Sequence, residues 1–445
     1  MIEKRCQAQT SPKRSREEVE MAEASRPEEG VPGHAAHHSV GGAADQHHGP
    51  RHPPPGGSTP VNSSRFNKQR RPFGDPVALQ KSDPRFIRPP LTNFTNLNLP
   101  LDIVLRKPDE MKRILDAGRL VFHAVGDSGA VNGGEAQEAI AHAMEAQIQQ
   151  AAEPANRPAF FYHLGDVVYF NGLRHLYNSQ FYDPYKYYPA PIFAIPGNHD
   201  GDTSTRRGDE PDTEPTLAGF IENFCAPSAM HIDSYRETMT QPYVYWTLEA
   251  PFATIVGLYS NVDGSLDGRG TFGQQQWFET QMATAPKDKC LIVAVHHPPY
   301  SLDAPHGGSP DILAAIDRAA AQPNGRYPDV VLSGHVHDYQ RFTREVDGWQ
   351  IPFVVAGNGG YANSPKAIHQ LQLDADGNPI PHNRFPTTSE GVFLEFYDAK
   401  HPGFLLIAVD NETLTGQYFV VPFDDAPPAD PVDTFKLNWK THKFV

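Results

Sequence analysis

Residues Phe161–Phe170, FYHLGDVVYF, place an acid where an apolar run ends and an aromatic hydroxyl three residues beyond it. A strand that only packs gains nothing from an ionised carboxylate at its tip, since a buried charge is costly unless it is paired or coordinates a metal. A strand that delivers a metal ligand needs one there. The same arrangement recurs along the chain. LVFHAV runs into Asp127 in GDSG, PIFAIP into Asn198 and His199 in GNHD, CLIVAV into His296, and DVVLS into His335 and His337 in GHVH. Helical patterns alternate with these runs. GEAQEAIAHAMEAQIQQAAE carries Ile140, Met144 and Ile148 at i, i+4 and i+8, and FGQQQWFETQMATA reads as a further helix. YVYWTLEA and FATIVGLYS read as an antiparallel pair, while GVFLEFYD, GFLLIAVDN and TLTGQYFVVP read as the close of an antiparallel sheet. The pattern predicts an α/β (α+β) sandwich with its loops gathered at strand ends.

Size and composition bound the rest. The chain has 445 residues, a net charge of −15 and three cysteines, Cys6, Cys225 and Cys290. The acidic balance gives no basic footprint for nucleic acid as main partner. Three cysteines make no disulfide framework, and Cys290 opens an apolar run as a core residue would. No stretch has the apolar length of a membrane span, and the N-terminus lacks the apolar core of a secretory signal, so the sequence reads as cytoplasmic. Residues 1–85 are rich in Gly, Pro and His and have little to bury; disorder is expected there, with His34, His37, His38, His47, His48 and His52 in a solvated tail. Residues 86–118 read as an extended segment and a short helix lying on the domain, 119–430 as the catalytic domain, and 431–445 as a C-terminal tail.

The strand-end residues carry the chemistry. Asp127, Asp166, Tyr169, Asn198, His296, His335 and His337 are seven oxygen and nitrogen donors with no thiolate. Tetrahedral zinc takes four, so seven fit two ions sharing a bridging carboxylate, with Fe, Mn or Zn favoured over softer metals. Each junction alone is an ordinary turn; five in succession point to one metal site.

In the order GDxG, GDxxY, GNHD, VxxH and GHxH, the motifs resemble those of the purple acid phosphatases within the calcineurin-like metallophosphoesterases. The resemblance spans Gly126 to His337, about half of the chain. It implies a β-sandwich of two mixed sheets flanked by helices, in four layers αββα. It also implies one ion, Fe(III), on Asp127, Tyr169 and His337, a divalent ion (Fe, Zn or Mn) on Asn198, His296 and His335, and Asp166 bridging both. Gly129 stands where most of the wider superfamily has a histidine ligand, and Tyr169 looks like its replacement; the other reading of Tyr169 is a core tyrosine with a bonded hydroxyl.

A hydroxide nucleophile held by a trivalent ion would persist in mildly acidic solution, by extension of the zinc case. The resemblance makes His199 the group that stabilises the phosphoryl and protonates the leaving oxygen, with Asp200 able to orient its ring. His306, ten residues past His296, is either a supporting acid or an exposed loop histidine. The side chain of His297 would face away if the strand pleat continued. GNGG at 357–360 lacks the Lys of a phosphate loop and reads as a turn behind the metals; DADGN at 374–378 reads as a hairpin turn rather than a calcium loop. Plant-type relatives carry a β-domain before the catalytic one. Here the corresponding space is mostly low-complexity sequence, and family members are often exported or lysosomal. The expected activity is acid phosphatase action on small phosphomonoesters. The alternatives are a phosphodiesterase on cyclic nucleotides or phospholipid head groups, or a scaffold that keeps the fold without catalysis.

Overall fold

A computed structural model describes residues 97–445 apart from 106, 131–132, 203–213, 233–234, 262–265, 268–272, 305 and 425. The His-rich segment 1–85 lies outside the described residues. In chain order the strands are β1 (Asn98–Pro100), β2 (Arg119–Val125), β3 (Phe161–His163), β4 (Ile192–Ala194), β5 (Trp246–Glu249), β6 (Ala253–Leu258), β7 (Cys290–Val295) and β8 (Val330–Ser333). β9 (Tyr339–Val346), β10 (Trp349–Ala356), β11 (Phe385–Pro386), β12 (Val392–Asp398), β13 (Gly403–Asp410), β14 (Thr413–Val420), β15 (Asp433–Asn438) and β16 (Lys443–Phe444) follow. Seven α-helices accompany them among the described residues: α1 (Leu101–Leu105), α2 (Pro108–Ala117), α3 (Glu135–Gln149), α4 (Asn198–Gly201), α5 (Ala218–Phe224), α6 (Gln274–Thr284) and α7 (Pro310–Ala320). None of the described helices is long and apolar enough to cross a membrane.

The strands form two mixed sheets, ordered β1-β5-β6-β7-β8-β10-β9-β12-β11 and β16-β15-β14-β13-β2-β3-β4. Alternation along β7 shows how the layers arise. Cys290, Ile292 and Ala294 face the second sheet in a core with Phe122, Tyr162 and Leu405, while Leu291, Val293 and Val295 face Phe278 of α6 and Ile316 of α7. On the far side of the second sheet, Val125 and Phe161 pack on Ile140 and Met144 of α3. The order is therefore helix, sheet, sheet, helix. Local signals start and stop the helices. Ser309 accepts the Ile312 amide ahead of Pro310 at the head of α7, and Gly118 ends α2 in the left-handed region at φ +61°.

Three expectations need correction. Residues 431–445 are not a tail: β15 pairs with β14, and Phe435, Leu437 and Trp439 enter the inter-sheet core. The stretch before α2 is not simply extended, since β1 pairs in parallel with β5 and α1 follows it. GVFLEFYD does not close one sheet with its successors. As β12 it pairs with β9 in the first sheet, whereas β13 and β14 join β2 in the second. β9 itself was hidden by its charges. Arg341 and Arg344 are satisfied by Asp433 at 2.7 Å and Asp317 at 2.5 Å, contacts that only the tertiary structure supplies.

Candidate metal centre

The site lies where both sheets end. β2, β3 and β4 of the second sheet lead to Asp127, Asp166 and Asn198; β7 and β8 of the first lead to His296, His335 and His337. Asp127, Asp166 and His335 turn sharply off their strands in the left-handed region, at φ +59°, +53° and +71°. Few side chains adopt that region unless the surroundings impose it, and such residues cluster at functional sites. The GNGG turn backs Asp127: the Gly359 and Tyr361 amides donate to the carbonyls of Gly126 and Asp127 at 3.0 Å each.

The Tyr169 hydroxyl stands 2.9 Å from Asp127 Oδ1, 3.1 Å from Asp166 Oδ2 and 3.2 Å from His337 Nε2. Asp166 Oδ2 also lies 3.2 Å from His296 Nε2, which is 3.1 Å from Asn198 Oδ1. One donor atom each from Asp166, His296 and His335 fall within 4.8 Å of one another. All seven sequence-predicted donors thus meet in two groups that have Asp166 in common. His296 Nδ1–H donates to the Leu164 carbonyl at 2.9 Å, which turns Nε2 inward, the way ligating histidines are usually oriented.

Metal ions fit this donor set. One phenolic proton cannot serve two carboxylates and an imidazole, and separations near 3 Å are about the edges of a coordination polyhedron with ~2.1 Å bonds. Burial and the neighbouring Asp166 push Asp127 well above the usual carboxylate range. Burial opposes charge on Asp166 too, but His296 and His199 outweigh it and hold that carboxyl low. Burial pulls His296 down, yet Asp166 and Asp127 prevail and lift it to about 9. Burial and both carboxylates raise the Tyr169 phenol strongly. A cation held there would take the place of protons on these groups.

Gly129 leaves no room for a side chain. A Cβ there would lie 2.6 Å from the Val167 carbonyl, 2.7 Å from Val168 Cα and 2.8 Å from Gln180 Oε1, so no histidine fits. Gln180 then holds the Tyr169 backbone from both sides, accepting its amide at 2.8 Å and donating to its carbonyl at 2.7 Å. Sequence reasoning missed Gln180, because nothing local marks a glutamine eleven residues away as a partner.

Two further assignments change. Asp200 does not orient His199. Its oxygens accept the amides of Val167, Val168 and Gly197 at 2.8–3.3 Å, bracing the turn that carries Asp166. His199 Nδ1 instead lies 2.8 Å from the Phe170 carbonyl, with its ring 4.4 Å from that of Tyr169. His297 does not face away. β7 ends at Val295, so the pleat stops, and the His297 ring sits 4.3 Å from that of His335. His306 is largely buried, with its ring 4.9 Å from that of His335.

The calcineurin-like phosphoesterase family matches residues 120–339, the interval that holds every motif above. The chain is a calcineurin-like phosphoesterase. It is similar to an acid phosphatase of Aspergillus ficuum, 27% identical over 191 residues, covering 42% of this chain and 30% of that protein. It is also similar to purple acid phosphatase 22 of Arabidopsis thaliana, 24% identical over 176 residues, covering 38% of this chain and 37% of that protein. The chain therefore matches about a third of the length of these relatives. Among solved structures, the purple acid phosphatase PPD1 from yellow lupin (Lupinus luteus) seeds aligns with a TM-score of 0.47 and 18% identity, over 72% of this chain and 54% of that one.

Proposed function

We propose that this calcineurin-like phosphoesterase is a dinuclear-metal phosphohydrolase that acts on small phosphomonoesters. The observation that carries the reading is the position of Asp166 Oδ2, about equally far from the Tyr169 hydroxyl and His296 Nε2, as suits a carboxylate shared by two ions. In this reading Asp127, Tyr169 and His337 hold one ion and Asn198, His296 and His335 the other. The phenolate and carboxylate side favours Fe(III), and the imidazole and amide side a divalent Fe, Zn or Mn. When bound, the ions would neutralise phosphoryl charge and activate water.

The chain's own groups do the rest. His199, donating Nδ1–H to the Phe170 carbonyl, keeps Nε2 as the nitrogen through which a proton can reach a leaving oxygen. His306 supports it from the His335 side. The catalytic unit takes in residues 119–445 together with β1, because β15 and β16 complete the second sheet and β1 the edge of the first.

Metal analysis and a visible spectrum of the purified chain, with turnover of 4-nitrophenyl phosphate and its bis-ester, test this. Two tightly held ions and faster cleavage of the monoester are expected. Fewer than two ions after loading refutes the centre; faster cleavage of the diester replaces monoesterase by phosphodiesterase.

A further inference from the structure

Two loops that carry none of the family motifs meet on a carboxylate beside the site. Asp303 bridges to Leu371 and Leu302 to Gly307 in short antiparallel contacts. The Ala304 amide donates to the Gln370 carbonyl at 2.9 Å, and Gln372 Nε2 donates to the Asp303 carbonyl at 2.9 Å. Within this clip Asp303 is fully buried. Its Oδ2 accepts the His306 amide at 2.9 Å and lies 3.2 Å from both His306 Nδ1 and His369 Nδ1. Both imidazoles outweigh the burial and hold the Asp303 carboxyl below its ordinary value. The His369 ring in turn lies 4.3 Å from that of His337.

A carboxylate and two imidazoles with donor atoms within 4.8 Å could hold zinc. The ring planes argue otherwise. An ion must lie in the plane of each imidazole that binds it, and these rings are 7° from parallel with centroids 4.8 Å apart. Stacked rings send their lone pairs along separate planes, and one ion cannot lie in both. A 3.2 Å hydrogen bond tolerates an offset that a coordinate bond of about 2.1 Å does not. The His337 amide, 3.2 Å from His369 Nδ1, further ties that ring to the GHVH loop.

We propose that Asp303 is a positioning residue for His306: it accepts the Nδ1 proton and fixes the tautomer and orientation of the ring beside His335. The proposal rests on the phosphohydrolase reading, in which His306 serves a leaving oxygen. With the proton fixed on Nδ1, Nε2 becomes the nitrogen that exchanges with substrate. The need for such a group grows with the basicity of the leaving oxygen. An alkoxide must be protonated, whereas 4-nitrophenolate departs without help.

Asp303→Asn in the full chain keeps the shape and offers an amide that can donate to Nδ1. Its kcat on glycerol 2-phosphate should fall about 10-fold or more beyond its change on 4-nitrophenyl phosphate, with metal content unchanged. Equal changes on both esters would overturn the proposal. An independent readout uses long-range 1H–15N spectra of the wild-type imidazoles, with the His306 signal assigned through His306→Gln. A proton on Nδ1 of His306 is expected, and a bare Nδ1 overturns the assignment. That spectrum needs no turnover, so it separates this proposal from the fate of the phosphohydrolase reading.

Discussion

A side chain at Gly129 is blocked by the 167–168 backbone and Gln180, and the Tyr169 hydroxyl meets Asp127 and Asp166 from three residues past Asp166. Gly129→Ala should therefore lower stability by about 1–3 kcal/mol, since the obstructing atoms are largely main chain and cannot rotate aside; a thermal midpoint equal to wild type would remove the steric account. Tyr169→Phe should abolish any visible charge-transfer band of the iron-loaded protein while leaving its far-ultraviolet circular dichroism unchanged. A retained band would mean that the phenol does not bind the ion. The motif residues were legible in the sequence because each sits at a strand end. Asp303, His369 and Gln180 were not, because no motif marks them and only the fold shows which groups they meet.

At the scale of elements, β2 ties the second sheet to its outer helix through a histidine. His123 is fully buried, with Nδ1 2.9 Å from the Tyr188 hydroxyl and Nε2 3.1 Å from Gln147 Oε1 of α3. Burial lowers it from 6.5 to about 3, despite the opposing Gln147 bond. Between those values the unfolded chain binds a proton that the native chain refuses, so stability falls as pH drops through that window. The contribution of His123 is at most about 1.4 kcal/mol per pH unit. Thermal melts from pH 7 to 4 should accordingly slope less steeply for His123→Gln than for wild type. Parallel slopes would place the acid sensitivity elsewhere. The principal strands flanking the site were legible as apolar runs. β9 was not, for its arginines read as solvent-facing until Asp433 and Asp317 are in view.

At the scale of the molecule, the candidate centre joins the ends of two sheets that also meet through their shared core and the Arg341–Asp433 pair. Asp127, Asp166 and Asn198 come from one sheet and the three histidines from the other, so ions bound there would act as a staple between the layers. Ligands that bind only the folded state stabilise it by mass action, about 2.7 kcal/mol at a hundredfold excess over Kd. Stripping with a chelator should lower the thermal midpoint, and adding Fe or Zn back should restore it; a midpoint indifferent to chelation would show that the sheets do not depend on ions.

The sequence by itself determined the α/β class and singled out seven oxygen and nitrogen side chains that the fold brings together, because apolar period and side-chain chemistry are local properties written residue by residue. Only the tertiary structure decided that residues 433–444 complete a sheet, that Asp200 braces a turn rather than a ring, and that Asp303 gathers two histidines. Each of those depends on which distant groups meet in space, since a buried carboxylate or amide takes its role from whatever partner satisfies it.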